Sequence, residues 1–497
     1  MSRINTNVQS LMARRAIGIN HESLNQALER LSSGLRINSG KDDPAGLIAS
    51  ETLRQSMRAI STAIDNANRA DTIVAVAEGG LQEVSSLLLQ LENLIDQASN
   101  EAGLTPGEVS ANQLQIDAIL QSIDRLAEAT AFGDKKLLNG TMAFTTSGIN
   151  VNQPTGGALN HLSKVQINAA KIPTGAFRNV VINVVKKSEV AIVSAVGAGT
   201  TGTGANPKNG TIAKATTLQV RGNYGSEVLS FASGTSMATI ATAINSSKDL
   251  TGVSATASAA AGGPASLVFQ STSYGKDAFV SVSVIENVST AWASQPAEKR
   301  DDGANGTVTV NGASGIVNGL DVSVRAGSLS MDMTLTPSFG GTTAGTSSFQ
   351  ILGGGAVFSI SPQVGLSGQE TIGMDEVSSA KLGNTNVGFL ATLRSGLGND
   401  LASKKFSSAQ RIVRAAINQI ATLRGRLGAF QKNTLVTTVN SLRVSRENVT
   451  AAESAIRDAD FATETSNLTR AQILVSSSTS VLQLANAQPQ NALTLLQ

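Results

Sequence analysis

A chain of 497 residues is longer than one hydrophobic core usually serves, since single cores stop growing at about 250–300 residues, so one undivided globule is disfavoured. Hydrophobic residues make up 41% but aromatic ones only 3%, which leaves a core of Ala, Leu, Ile and Val, side chains suited to helix seams and thin sheets. With 38 basic against 36 acidic residues the net charge is +2, too little to gather nucleic acid or an anionic membrane, and the lack of cysteine removes disulfides, thiolate metal sites and a thiol nucleophile.

The N-terminus opens Met1-Ser2-Arg3-Ile4-Asn5-Thr6-Asn7, without the apolar stretch of roughly 7–15 residues that a secretory signal needs. No run approaches the ~18 apolar residues of a membrane span, so no membrane insertion is expected. The reading is a cytosolic chain, or one that leaves by a route using no cleaved signal. From here to about Ala131, apolar residues recur at spacings of four and three, as in Leu24, Leu28, Leu31, Leu35 and in Leu53, Met57, Ile60, Ile64, Ala67. That is the signature of helices with a coiled-coil-like seam. Val84, Leu88, Leu91 and Ile95 carry the pattern past Gly79-Gly80, and Ile116, Leu120, Ile123, Ala127 begin another helix after Thr105-Pro106-Gly107. Breaks fall at Gly34, Ser39-Gly40 and Asp42-Asp43-Pro44-Ala45-Gly46.

Between about Lys187 and Phe349 the composition turns to Gly, Ser, Thr, Ala and Val, and helical periodicity disappears. Trp292, Tyr224 and Tyr274 all lie here. Short segments bounded by Gly and Asn read as strands: Thr217–Val220, Ser266–Phe269, Thr307–Val310 and Leu320–Val324. Shoulders over 139–186 and 350–383 also carry strand-like runs, Asn179–Val185 and Ala356–Ile360, and are expected to connect the helical part to this insert. From Ser407 onward helices return, through Val413, Ile417, Ile420, Leu427, Phe430, Leu435, Val439 and Leu442. The last helix repeats at seven, Leu468, Val475, Leu482, with Ala471, Ser478 and Ala485 on a small-residue row that admits a close partner, and Pro489 is expected to end it before an apolar tail over 492–496. Two helical halves around an insert whose ends lie close together make an elongated hairpin. The fold class is multidomain α plus β, a long antiparallel helical bundle or coiled-coil rod formed by both termini with a β-rich insert at its outer end.

The residues of common catalytic and binding chemistries are missing. The two histidines, His21 and His161, write neither H-E-x-x-H nor a G-x-S-x-G triad partner. An enzymatic reading, a carrier chain with a metallopeptidase insert, is disfavoured on the same ground. Gly199 to Gly204 and Gly353-Gly354-Gly355 lack the lysine of a phosphate loop and read as turns. Asp42-Asp43 suits a helix N-terminus better than a cation site, and Arg14-Arg15, Lys135-Lys136 and Lys404-Lys405 are scattered without interleaved aromatics. No enzyme, metal or cofactor is expected, and no nucleic acid partner.

A helix of about 30 residues with an apolar stripe is only marginally stable alone, so both ends of the chain call for burial and their ordering is coupled to assembly. The proposed polymerisation seam is Leu24, Leu28, Leu31, Leu35, Leu468, Val475 and Leu482. The residues then point to a family. Leu28-Glu29-Arg30-Leu31-Ser32-Ser33-Gly34-Leu35-Arg36-Ile37-Asn38, continuing to Asp42-Asp43-Pro44-Ala45-Gly46-Leu47, resembles the N-terminal signature of bacterial flagellins, as do Ile4-Asn5-Thr6-Asn7, Ala77–Leu81 and Ile123-Asp124-Arg125. Ala455–Glu464, Leu468–Leu474 and Ala485–Asn491 are similar to the C-terminal signature. Phe231–Asn245, with Gly252–Ala255 and Leu267–Phe269, looks like a small module recurring in flagellin and hook-protein inserts.

The resemblance implies a non-enzymatic subunit of an extracellular filament for swimming, exported by the flagellar type III apparatus. It implies an inner coiled-coil helix over 1–44, the N-terminal half of an outer helical-bundle domain over 45–178, a variable surface insert over 179–349, the C-terminal half of the bundle over 350–454 and a second inner helix over 455–497. Implied partners are further copies of the chain, the flagellar cap protein, hook–filament junction proteins and a cytosolic export chaperone on the C-terminal helix. The insert is expected to add adhesion or glycan display. Where the family carries an arginine, a leucine and an acidic residue bound by an innate immune receptor, this chain has Gln90, Leu94 and Gln115. Only the leucine is kept, so weak or no receptor activation is expected.

Overall fold

The structure, a computed structural model, describes residues 6–100, 103, 105–147, 161–173, 176–196, 210–212, 214–258, 266–286, 298–342, 345–384 and 387–494. Ile4, Asn5, the stretch from Gly199 to Gly204, Trp292, Leu495 and Leu496 lie outside the described residues. The chain forms two compact units, Met1–Asp71 with Ser359–Gly368 and Ala429–Gln497, and Thr72–Phe358 with Gln369–Gly428.

The first unit is helical. Helix α1 (Val8–Ser33) starts where the Asn7 side chain accepts a bond from Ser10 N at 3.0 Å. It stops at Gly34, whose φ of 70° turns the chain left-handed while its N–H bonds Arg30 O at 2.9 Å. Leu35 therefore lies beyond the helix, in an isolated antiparallel bridge to Asp458, which corrects its place in a continuous helical seam. The period of four matched Leu35, but a left-handed glycine outranks an apolar period. Asp42 Oδ2 accepts from Asn38 N and Ser39 N, and Asp43 Oδ1 accepts from Gly46 N at 2.9 Å as α2 (Pro44–Ala98) begins. Within this unit the start of α2 runs antiparallel to a later helix, Thr437–Arg457: Arg54 pairs with Glu453 at 3.6 Å and Glu51 with Arg457 at 3.1 Å. The final helix, Phe461–Thr494, continues past position 489, so proline does not end it. One missing N–H so near a terminus leaves few later bonds to lose.

The second unit holds a three-helix bundle and two β bodies. The rest of α2 buries Val74, Ala77, Leu81, Val84, Leu88, Leu91 and Ile95, a strict alternation of three and four. Helix α3 (Pro106–Ala129) is opened by a capping box, Thr105 with Glu108, and buries Ile116, Leu120, Ile123 and Ala127. The helix Phe406–Ala429 buries Ala409, Val413, Ala416, Ile420, Leu423 and Leu427, and its Arg414 pairs with Glu92 at 2.8 Å. Helix α2 contains a stretch apolar and long enough, by length and composition, to cross a membrane, which corrects the expectation that none approaches this. Alanines and glycines between the seam residues keep its charge density low.

After a short hairpin, β1 (Ala131–Phe132) with β2 (Lys135–Lys136), the first β body begins with β3 (Phe144–Ser147), β4 (Leu162–Ala170) and β5 (Arg178–Lys186). Strands β4 and β5 are integral to two sheets rather than connecting shoulders: β4 pairs antiparallel with Leu329–Leu335, and β5 lies between Thr307–Val310 and Gly345–Gly354. Their shared core is Val180, Ile182, Val184, Val322, Val324, Met331, Met333, Phe349 and Ile351 with their neighbours. The second body nests inside the first in sequence. It is built from β6 (Val190–Val196), β7 (Thr216–Gly222), β8 (Ser226–Phe231), β9 (Val253–Ser258), β10 (Ser266–Tyr274), β11 (Phe279–Glu286) and β12 (Glu298–Asp302) in two sheets ordered β6-β10-β9 and β12-β11-β7-β8. A helix, α4 (Met237–Ser246), inserts Met237, Ile240, Ala241 and Ile244 into this core beside Phe269. Helical periodicity therefore persists for ten residues inside the insert, contrary to the expectation from composition. The Thr- and Ala-rich surface of so short a helix masks the period.

Candidate assembly interface

Of the residues proposed as a seam, all but Leu35 lie on two helices that pack on each other, α1 and the final helix Phe461–Thr494. The pair is antiparallel. Asn7 Nδ2 donates to Ala485 O at 2.8 Å, Ser10 Oγ to Asn486 Oδ1 at 2.8 Å, and Asn20 Nδ2 to Ser478 Oγ at 2.6 Å and Leu474 O at 3.3 Å. Nearer the chain reversal, Arg30 Nη1 lies 3.1 Å from Glu464 Oε1, Ala459 N donates to Gly34 O at 2.9 Å, and Arg36 N donates to Arg457 O at 2.7 Å. From Asn7–Ala485 through Asn20–Ser478 to Arg30–Glu464 the partners advance along the N-terminal helix and fall back along the final one.

Small residues permit this closeness. Ala13 and Ala27 of α1 and Ala471 and Ala485 of the final helix are the buried apolar positions. Leu24, Leu31, Leu468, Val475 and Leu482 are half-buried, and Leu28 stays 45% exposed. Asp460 opens the final helix by accepting from Ala462 N and Thr463 Oγ1, both at 2.9 Å, and the Thr463 bonds followed by the Ala462 bond hold its carboxyl below the usual range. Beyond the pair, large apolar side chains face solvent: Val8, Leu11, Met12 and Ile19 on one helix, Phe461, Ile473, Leu474, Val481 and Leu484 on the other.

The polar rungs were not legible in advance. Ser478 is expected from the sequence on a small-residue row facing a partner, but its hydrogen bond from Asn20 is not, and the acceptors for the bonds that Asn7 and Asn20 donate are supplied only by the facing helix. Of the three positions that the resemblance relates to a receptor surface, Gln90 and Gln115 are exposed on α2 and α3, and Leu94 is half-buried. Among the described residues no group of three or more acidic or histidine side chains is arranged to hold a metal ion.

Comparison with known proteins agrees with this architecture. The bacterial flagellin N-terminal helical region matches residues 4–143, the bacterial flagellin C-terminal helical region residues 411–496, and the flagellin hook IN motif residues 217–273, which span α4 and the strands around it. A flagellin of Salmonella rubislaw is 30% identical over 99% of both chains, and flagellin B of Helicobacter pylori is 28% identical over 100% of this chain and 99% of its own. A solved flagellar hook-associated protein 3 of Legionella pneumophila is similar over 82% of this chain and 98% of its own, at 13% identity and a TM-score of 0.30. Matched at both helical ends and over nearly its full length, the chain belongs to the flagellin family, structural subunits of the extracellular flagellar filament and not enzymes.

Proposed function

We propose that copies of this chain polymerise through the paired terminal helices, with Leu24, Leu28, Leu31, Leu468, Val475 and Leu482 in the seam and Leu35 at its reversal. The observation that carries this reading is the apolar stripe left on the pair. Leu11, Met12, Ile19, Leu28, Ile473, Leu474, Val481 and Leu484 are each 45–68% exposed in the single chain. Covering that surface between copies is worth on the order of 10 kcal/mol per subunit before ordering costs. Residues 1–44 and 455–497 form the inner layer of the filament, 45–178 and 350–454 the outer bundle, and 179–349 the solvent-facing insert.

The same stripe needs cover before assembly, because a free apolar helix face aggregates. A cytosolic chaperone on the final helix supplies that cover until the chain passes, unfolded, through the flagellar type III apparatus. Growth then proceeds beneath the cap protein from the hook–filament junction proteins. The insert adds adhesion or glycan display, and with glutamine at 90 and 115 the bundle activates the innate receptor weakly or not at all.

The test is sedimentation of concentrated chain carrying Val481→Ser and Leu484→Ser, which leave the α1 pairing rungs intact. Pelleting polymer is expected from the unaltered chain and none from the double variant at the same concentration. Equal pelleting overturns the seam assignment.

A further inference from the structure

A cavity of about 470 Å³ opens in the second unit between strand β4, the segment 375–384 and the helix Phe406–Ala429. Its volume is within the range of small-molecule sites. Val377, Leu382, Phe389, Ile420 and Leu423 supply apolar lining, and Ser163, Lys164 and Gln166 of β4 are among the polar lining residues. Four ionisable residues line it: Lys164, Asp375, Glu376 and Lys381.

Three of these have something to do. Asp375 accepts from Gln166 Nε2 and lies 3.5 Å from Arg426 Nη2. Glu376 Oε1 accepts from Ser378 Oγ at 2.7 Å. Lys381 stands exposed, free to be solvated. Lys164 is different. It is half-buried, and among the described residues its ammonium has neither a hydrogen bond nor an ion pair. The carboxylates that act on it electrostatically are Asp375 first, then Asp321 and Asp332; Asp375 is held by Gln166 and Arg426, Asp321 by Thr334 Oγ1 at 2.5 Å and Asp332 by Arg325 at 2.7 Å. Burial pulls its pKa down, the direction expected of an amine short of partners. Each of those carboxylates thus has a hydrogen-bonded or ion-paired partner of its own, whereas the half-buried Lys164 ammonium has none among the described residues.

We propose that this cavity binds a small monocarboxylate with an apolar body, the carboxylate on Lys164 Nζ and the body against Leu382, Phe389, Ile420 and Leu423. A half-buried ammonium and an aliphatic and aromatic surface lining one cavity match the two ends of such an acid. A dicarboxylate fits less well, because its second charge meets Asp375 and Glu376. The site involves none of the terminal helices, so it is separable from polymerisation.

The test uses the full chain, kept as monomer, and isothermal titration with 4-phenylbutyrate and its uncharged amide, 4-phenylbutyramide. The acid is expected to bind saturably with a Kd at or below about 1 mM, and the amide about 10-fold more weakly. Lys164→Met is expected to remove that preference, and Lys164→Arg to keep most of it. The acid–amide comparison on unaltered protein stands even if a Lys164 variant folds poorly. Equal binding of acid and amide, no saturable binding up to about 10 mM, or an acid affinity unchanged in a folded Lys164→Met chain each overturns the proposal.

Discussion

Arg30 and Glu464, separated by 434 positions in the chain, meet at 3.1 Å between Nη1 and Oε1, with the Glu464 side chain only 8% exposed and that of Arg30 24%. The pair sits close to the reversal where Gly34 and Ala459 join by their backbones, so it fixes the register from which the rest of the two helices follows. Removing one partner strands a buried charge. Glu464→Gln or Arg30→Met is expected to weaken the helix pair by about 2–3 kcal/mol, lowering the temperature at which filaments come apart, as followed by light scattering. Replacing both by methionine is expected to recover most of that loss, since no charge is then left unpaired.

The alanine contacts set the distance between the helices. Ala471 and Ala485 are buried, and a leucine at either must push the partner away, at a cost of about 1–3 kcal/mol. Ala485→Leu is expected to raise the critical concentration for polymerisation by about tenfold or more. Ala→Ser at the same position adds little volume and is expected to change it far less. Sedimentation over a concentration series measures both.

Acid acts on the turns that start helices. Asp42 is held below its ordinary value, first by the Ser39 backbone bond, and Asp460 by the Thr463 bonds, so each binds its proton less readily folded than unfolded. A lowered folded pKa gives stability that is fully present above the unfolded value of about 4 and is lost as pH falls through the folded value. Helicity followed by circular dichroism is therefore expected to fall below about pH 4. Asp460→Asn, which keeps an acceptor but no titrating charge, is expected to shift that loss to lower pH.

The second unit has its own joint. Arg426 donates to Asn168 Oδ1 and to Gly373 O at 2.9 Å, and pairs with Asp375 at 3.5 Å, tying the helix Phe406–Ala429 to β4. Arg426→Met leaves buried acceptors without a donor and is expected to lower stability by about 2–4 kcal/mol in urea unfolding. Lysine is expected to rescue little, because it cannot span the three acceptors with a planar fork.

The helices were legible because their apolar spacing is strict: Val74 to Ile95 repeats at three and four without a break, and each residue is buried. Several strands were equally clear, Thr307–Val310 matching in full, since alternation shows wherever one face is buried. What failed had local causes. Leu35 kept the period but followed a left-handed glycine, and Met237 to Ile244 formed a helix too short and too rich in Thr and Ala to announce itself. Residues whose role depends on a distant partner were not readable at all. Gln113 is buried because its side chain binds Leu393 O and Leu401 N, and nothing near it in the chain says so. Asn20, which donates to Ser478 Oγ and Leu474 O, belongs to the same class.

The most direct test of assembly through the chain ends is negative-stain electron microscopy of the concentrated, purified chain beside one ending at residue 454, with circular dichroism to establish that its β bodies remain folded. Long filaments from the full chain and none from the shortened one are the predicted result. Normal filaments from the shortened chain would contradict the account.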